Sequence, residues 1–227
     1  MPRIARVVVP GIPHHITQRG NRRMQTFFND DDYHDYLGLM AVWCREFQVE
    51  VWAYCLMPNH VHMIAVPERE DSLRRAIGEV HRRYTRMVNF RERWRGHLWQ
   101  GRFASFPMDE KYLLAAARYV ELNPVRAGFV EDPCSWRWSS AAAHVKGEDD
   151  TLVMVSHLCR MVGNWRDFLN RKDDRKDEQT EFELVRRHER SGRPLGEDEF
   201  IEGLERLLER TLKPQKRGPK EKNPITN

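Results

Sequence analysis

The order of its periodic segments predicts an α+β fold: a ferredoxin-like antiparallel sheet with helices on one face, followed by a helical C-terminal extension. Three observations carry this. The segments alternate as strand, helix, strand, strand, helix, strand, helix, the order of a split β-α-β layered domain. The two central strands are separated only by Pro58-Asn59, which makes them a hairpin. Beyond Pro133 the texture becomes helical and increasingly charged, with Gly192-Arg193-Pro194-Leu195-Gly196 as a clear break.

Each element follows from its own pattern. His14-His15-Ile16-Thr17-Gln18 reads as a first strand between Pro13 and Gly20. Its two histidines are adjacent, so they face opposite ways and cannot pair as residues two apart can. Asn29 or Asp30 caps a helix over 31–47, with Tyr33, Tyr36, Leu37, Met40, Val42, Trp43 and Phe47 as its apolar stripe. Val49 to Leu56 is the second strand, and His60 to Val66 the third. A second amphipathic helix spans about Ser72 to Arg91, with Leu73, Ile77, Val80, Tyr84 and Val88 inside and arginines outside. The aromatic run from His97 to Phe106 reads as a fourth strand, with Gly101 as a bulge or close-approach point. Asp109 caps a helix from Glu110 to Leu122 that Pro124 stops. After a short helix around the alanines at 141–143, helical patterns recur near His157–Leu169, Thr180–Glu189 and Glu197–Leu212. The domain reading is 1–145 for the α+β domain, 146–212 for the extension and 213–227 for a basic tail with too little apolar content to bury a core. The helices flanking the 192–196 break are either a DNA-binding hairpin or a brace for the first domain.

Composition narrows the function classes. The chain has 227 residues, 40% hydrophobic and 32% charged, with a mean hydropathy of −0.74. No apolar run approaches the roughly 20 residues of a spanning helix. Pro10, Gly11 and Pro13 interrupt the N-terminal apolar stretch too early for a signal peptide, which points to the cytoplasm. Cys44, Cys55, Cys134 and Cys159 are widely spaced, which disfavours a zinc cage or a disulfide framework. The net charge of +4 is modest, but arginine clusters at 19–23, 74–75, 82–86 and 91–95. Arginine is the residue suited to bidentate phosphate contact, although on a helix it also serves as a solvated face.

The segment Met57-Pro58-Asn59-His60-Val61-His62-Met63-Ile64 organises the rest. Strand alternation puts His60 and His62 on one face, where two imidazoles can share a divalent ion. Downstream, Tyr112, Ala116, Tyr119 and Asn123 fall in one narrow helical stripe. A core tyrosine would sit there equally well. The combination of the histidine segment with Tyr119-Val120-Glu121-Leu122-Asn123-Pro124-Val125-Arg126-Ala127-Gly128 resembles the REP-associated tyrosine transposases, within the single-tyrosine HUH transposase superfamily. Thr17-Gln18-Arg19-Gly20-Asn21-Arg22 and Leu98-Trp99-Gln100-Gly101-Arg102-Phe103 match as well, so the resemblance covers roughly residues 10–140.

That resemblance implies an HUH nuclease fold and a bacterial enzyme acting on DNA, a transposase-type single-strand endonuclease and strand transferase. It implies Tyr119 as the nucleophile, forming a 5′-phosphotyrosine, and His60, His62 and Asn123 as ligands for Mg²⁺ or Mn²⁺. It implies single-stranded DNA with hairpin or palindromic repeats as partner, contacted by Arg19, Arg22, Arg23, Arg102 and Arg126, with Trp99 stacking on bases. Both monomers and homodimers fit it. No phosphate-binding Gly-x-x-x-x-Gly-Lys loop is present, in keeping with a covalent intermediate that conserves the phosphodiester energy. The competing readings are a non-cleaving DNA- or RNA-binding regulator and a metal hydrolase that uses water.

Overall fold

The computed structural model describes residues 4–171 and 175–214. The predicted basic tail falls outside them from residue 215 onward. The element order opens with β1 (His14–Arg19), α1 (Asp30–Glu46), β2 (Val49–Met57), β3 (His60–Pro67), α2 (Ser72–Glu92), β4 (Ala104–Pro107) and α3 (Glu110–Glu121). The four strands form one antiparallel sheet in the order β2-β3-β1-β4. This is the ferredoxin-like arrangement, with the hairpin β2–β3 beside a central β1.

The sheet face under α1 and α2 is built from alternate strand positions. Ile16, Val61, Met63 and Ala65 point to it and meet Tyr36, Met40, Leu73, Ile77, Val80 and Tyr84. Asn29 caps α1 by accepting from the Asp32 amide at 3.0 Å. The buried Asp32 carboxylate in turn accepts from Arg91 of α2, which ties the two helices together. Val42, placed in the apolar stripe by its spacing, is exposed. The α2 arginines are partly engaged: Arg82 and Arg83 pair with Glu79, and Arg75 and Arg83 cover the Phe47 and Trp43 rings. Those clusters read as a solvated face and an aromatic cover.

The opposite sheet face is also covered. There α3 packs on Ala53, Cys55, Met57, Ile64 and Phe106. After α3 come α4 (Asn123–Arg126), α5 (Ala141–Lys146), α6 (Ser156–Cys159), α7 (Trp165–Asn170), α8 (Arg175–Ser191) and α9 (Asp198–Leu208). Leu158, Trp165, Leu169, Phe182 and Val185 from these helices join the core beneath α3. The 192–196 break folds Leu195 against the end of β4: its amide donates to Pro107 O at 2.9 Å, and its carbonyl accepts from the Asp109 amide at 3.1 Å. Leu204 of α9 packs with Leu212 on Val7 and Val9. No helix among the described residues is long and apolar enough to cross a membrane.

The run 97–106 is not a strand throughout: β4 is only Ala104–Pro107, and 97–103 is a loop that turns at Gly101, whose φ is +69°. Its aromatic residues satisfy burial rather than strand pairing, which is why they mimic a strand in sequence.

Candidate active site

The site is assembled where β3, β1, α3 and α8 meet. His60 lies opposite Arg19 of β1, and His62 opposite Thr17. The His60 and His62 rings stand edge to face with centroids 5.0 Å apart. Above them α3 presents Tyr119, its ring 5.4 Å from that of His62. The helix breaks at Leu122, and α4 follows at once with Pro124 in its first turn, where a missing N–H costs nothing. Asn123 is therefore held buried beneath the break, hydrogen-bonded to His60. A cleft of about 500 Å³ is lined by His60, His62, Tyr119, Asn123, Arg126 and Arg19, among others.

The electrostatics follow from burial. Desolvation, aided by Arg19, lowers His60 to about 4, against the hydrogen bond with Asn123. Desolvation, with His60 and His15 adding to it, takes His62 well below the ordinary imidazole value. Both rings are thus neutral near pH 7 and each keeps a lone pair. Tyr119 is 4% exposed, and desolvation with the nearby Glu189 raises its phenol above the ordinary value. Arg126 and Arg186 oppose that shift. The Arg126 guanidinium lies 4.3 Å from the Tyr119 ring centroid and donates to Tyr119 O at 3.2 Å. Phe182 of α8 packs on the other side, centroids 5.4 Å apart.

A second cleft, of about 580 Å³, also borders Tyr119 and is lined by Arg19, Arg23, Arg102, Arg186 and Arg190. Together the two form a basic trench with the phenol between them. Arg22 is exposed on the neighbouring turn, outside both linings. That turn is tight: a Cβ on Gly20 would lie 2.2 Å from Met24 O, so only glycine fits. Arg22 and Arg23 then take left-handed conformations, φ 52° and 63°, which non-glycine residues hold only when neighbours enforce them. Asn59 supplies part of that restraint by donating to Arg23 O at 3.0 Å.

The structure brings Tyr119, His60, His62, Asn123, Arg19 and Arg126 into one cleft, with Arg23 and Arg102 in the adjoining one. It does not bring Trp99 there. Trp99 is buried under α1 and α2, 4.7 Å from His81 and 6.0 Å from Tyr84, so its ring has no open face for a base. Phe103, the other aromatic of that loop, is buried beneath Arg6. Sequence reasoning missed His15, Phe182, Arg186 and Glu189. Adjacent in sequence, His14 and His15 face opposite ways, yet across the β1–β3 ladder His15 is a diagonal neighbour of His62, and their rings stack at 5.4 Å. A cavity of about 910 Å³ along the outer edge of β2 is remote from this chemistry. Its Asp149 and Asp150 carboxylates accept from the backbone amides of Leu152, Val153 and Val155 and from the Tyr54 hydroxyl.

The family described as "Transposase IS200 like" matches residues 8–123, which include β1 to α3 and both ends of the histidine–tyrosine cleft. The chain belongs to that family. It is 30% identical over 116 residues to a putative REP-associated tyrosine transposase of Haemophilus influenzae, a match covering 46% of this chain and 66% of the relative. It is 24% identical over 97 residues to the REP-associated tyrosine transposase of Escherichia coli K12, covering 42% and 55%. The chain thus spans just under two thirds of the first relative and little more than half of the second. A solved REP-associated tyrosine transposase bound to a REP hairpin superposes with a TM-score of 0.56 at 23% identity, over 69% of this chain and 94% of that one, a likeness of fold.

Proposed function

We propose that this chain is a bacterial, cytoplasmic strand transferase that cleaves and rejoins single-stranded DNA at hairpin repeats, through a 5′-phosphotyrosine on Tyr119. The observation that carries the reading is the cleft in which a phenol, two neutral imidazoles and a buried amide converge beside a basic trench. His60, His62 and Asn123 would hold a divalent ion, Mg²⁺ or Mn²⁺. Two imidazole nitrogens and an amide oxygen facing an open cleft suit such an ion better than a closed structural zinc site. When bound, the ion polarises the scissile phosphate as a Lewis acid.

The chain's own residues do the rest. The Tyr119 oxygen attacks phosphorus, the Tyr–O–P bond forms as the P–O3′ bond breaks, and the phenolic proton is exchanged for one on the departing 3′-oxygen. Arg126 and Arg186 place positive charge beside the phenol and favour its ionised form. Rejoining is the reverse attack by a 3′-hydroxyl and needs no nucleotide energy. Arg19, Arg23 and Arg102 line the trench in positions to hold the phosphate backbone on either side of the tyrosine, with Arg22 at its rim.

A denaturing gel tests this. Labelled single-stranded hairpins incubated with protein and Mn²⁺ should yield an SDS-resistant protein–DNA adduct that EDTA abolishes. Tyr119→Phe should lose the adduct and keep hairpin binding within about twofold, since it removes one hydroxyl and leaves the ring packed between Arg126 and Phe182. Cleavage without an adduct would mean a water-using hydrolase. Binding with neither product would mean a regulator.

A further inference from the structure

His62 has two ring nitrogens, and its surroundings give them different tasks. Nδ1 lies 3.4 Å from Glu189 Oε1 of α8 and 3.3 Å from His15 Nε2 of β1. The carboxylate oxygen also stands 3.8 Å from His15 Nδ1. Glu189 Oε1 and His15 Nδ1 are buried and have no hydrogen-bond partner among the described residues. A buried carboxylate oxygen without a donor is costly, and the nearest candidate N–H is the one His62 can carry on Nδ1. The cleft shared with His60 and Asn123 is then left to the opposite ring edge, and so to Nε2.

We propose that Glu189 is a positioning residue for the metal site: its carboxylate accepts the Nδ1–H of His62, with His15 packed alongside, and so fixes the tautomer that turns an unprotonated Nε2 toward the cleft. This rests on the reading of His60, His62 and Asn123 as metal ligands. A carboxylate behind a ligating histidine fixes its ring orientation and raises its basicity as a ligand. The position of Glu189 is itself enforced. Phe182 and Val185 anchor α8 in the core beneath α3, and His188 is hydrogen-bonded to Arg193 O at 2.9 Å. The segment after residue 146 thus supplies part of the site that β3 and α3 begin.

The test is Mn²⁺ binding to the full chain, measured by calorimetry and by loss of the free-ion electron paramagnetic resonance signal, with no DNA present. Glu189→Ala should weaken Mn²⁺ by about 10- to 100-fold, the usual effect of removing such a partner. Glu189→Gln keeps a neutral acceptor of the same shape and should recover part of that loss; it also decides the matter if the alanine variant unfolds. Far-ultraviolet circular dichroism of both variants should match wild type. His60→Ala should abolish tight Mn²⁺ binding. If it does and both Glu189 variants bind as wild type does, the positioning role is wrong and the metal-site reading stands. If wild type binds no Mn²⁺, or His60→Ala leaves binding intact, the metal-site reading fails and this proposal with it. Loss of Mn²⁺ in His15→Ala but not in His60→Ala would make His15, His62 and Glu189 the ligands themselves, which overturns the proposal.

Discussion

At the scale of single residues, Arg126 is the informative case, because its sequence reading and its surroundings assign it different work. Its neighbours in the family-like segment suggest a phosphate contact. In the fold its guanidinium lies over the Tyr119 ring and favours the phenolate. The phenol starts from a disadvantage: burial and Glu189 hold its proton on. Removing Arg126 should therefore push the phenol further up and move the alkaline rise of adduct formation to higher pH. Below that rise, each unit gained should slow the reaction about tenfold. Arg126→Lys should recover part of the effect, as it keeps the charge and loses the flat stacked fork. The readout is the pH dependence of single-turnover adduct formation at saturating hairpin. An unmoved pH limb with weakened hairpin affinity would return Arg126 to the role of a phosphate contact.

At the scale of elements, what holds α3 in register matters as much as what it presents. Glu121 follows Tyr119 by two positions, so it points away from the cleft and into the core. There its fully buried carboxylate accepts from Ser140 Oγ at 2.5 Å, His144 Nδ1 at 2.6 Å and Trp165 Nε1 at 2.8 Å. Ser140 Oγ in turn accepts from the Tyr54 amide at 3.0 Å, so one carboxylate joins α3, α5, α7 and β2. Glu121→Ala would strand three buried donors and should cost about 3–5 kcal/mol in urea unfolding. A loss below about 1 kcal/mol would mean the network is not a mechanical link. The sequence makes the strands, α1, α2 and α3 legible because each is an amphipathic segment whose period is local. The aromatic loop at 97–103 misleads because burial and strand pairing favour the same residue types. Spacing puts His60 and His62 on one strand face and Tyr119 and Asn123 in one helical stripe; that the two meet was implied only by the family resemblance, since a core tyrosine fits the stripe equally well. Glu189 and Arg186 are not, because a Glu and an Arg on a charged helix are ordinary until tertiary packing lays that helix across β1 and α3. Glu121 belongs with them: nothing local separates a buried acceptor from a solvated one.

At the scale of the whole molecule, the number of histidines sealed inside the fold ties its stability to pH. His14 is fully buried, with Nδ1 donating to Ile12 O at 2.8 Å and Nε2 accepting from the Val9 amide at 3.2 Å, so the neutral ring satisfies both partners. Burial lowers it to about 4, against the Ile12 hydrogen bond. His81, buried against Trp99 and hydrogen-bonded through Nε2 to the Tyr36 hydroxyl at 3.0 Å, is lowered by burial to about 3. Both folded values lie below the unfolded value of 6.5, so the unfolded chain binds the protons first. Stability is therefore full above about pH 6.5 and falls as the pH drops toward 4 and 3. At pH 5 each ring should have cost about 2 kcal/mol relative to pH 7.5, about 4 kcal/mol for the pair, from linkage with an unperturbed unfolded histidine. Urea unfolding at the two pH values should show at least that loss, since the buried His15, His60 and His62 are lowered as well, and His81→Gln, which keeps an amide for Tyr36 and cannot titrate, should shrink the difference by about 2 kcal/mol. A stability curve flat from pH 7.5 to 5 would mean that one or both rings accept a proton inside the fold, and the hydrogen bonds assigned to the neutral His14 and His81 would then have to be redrawn.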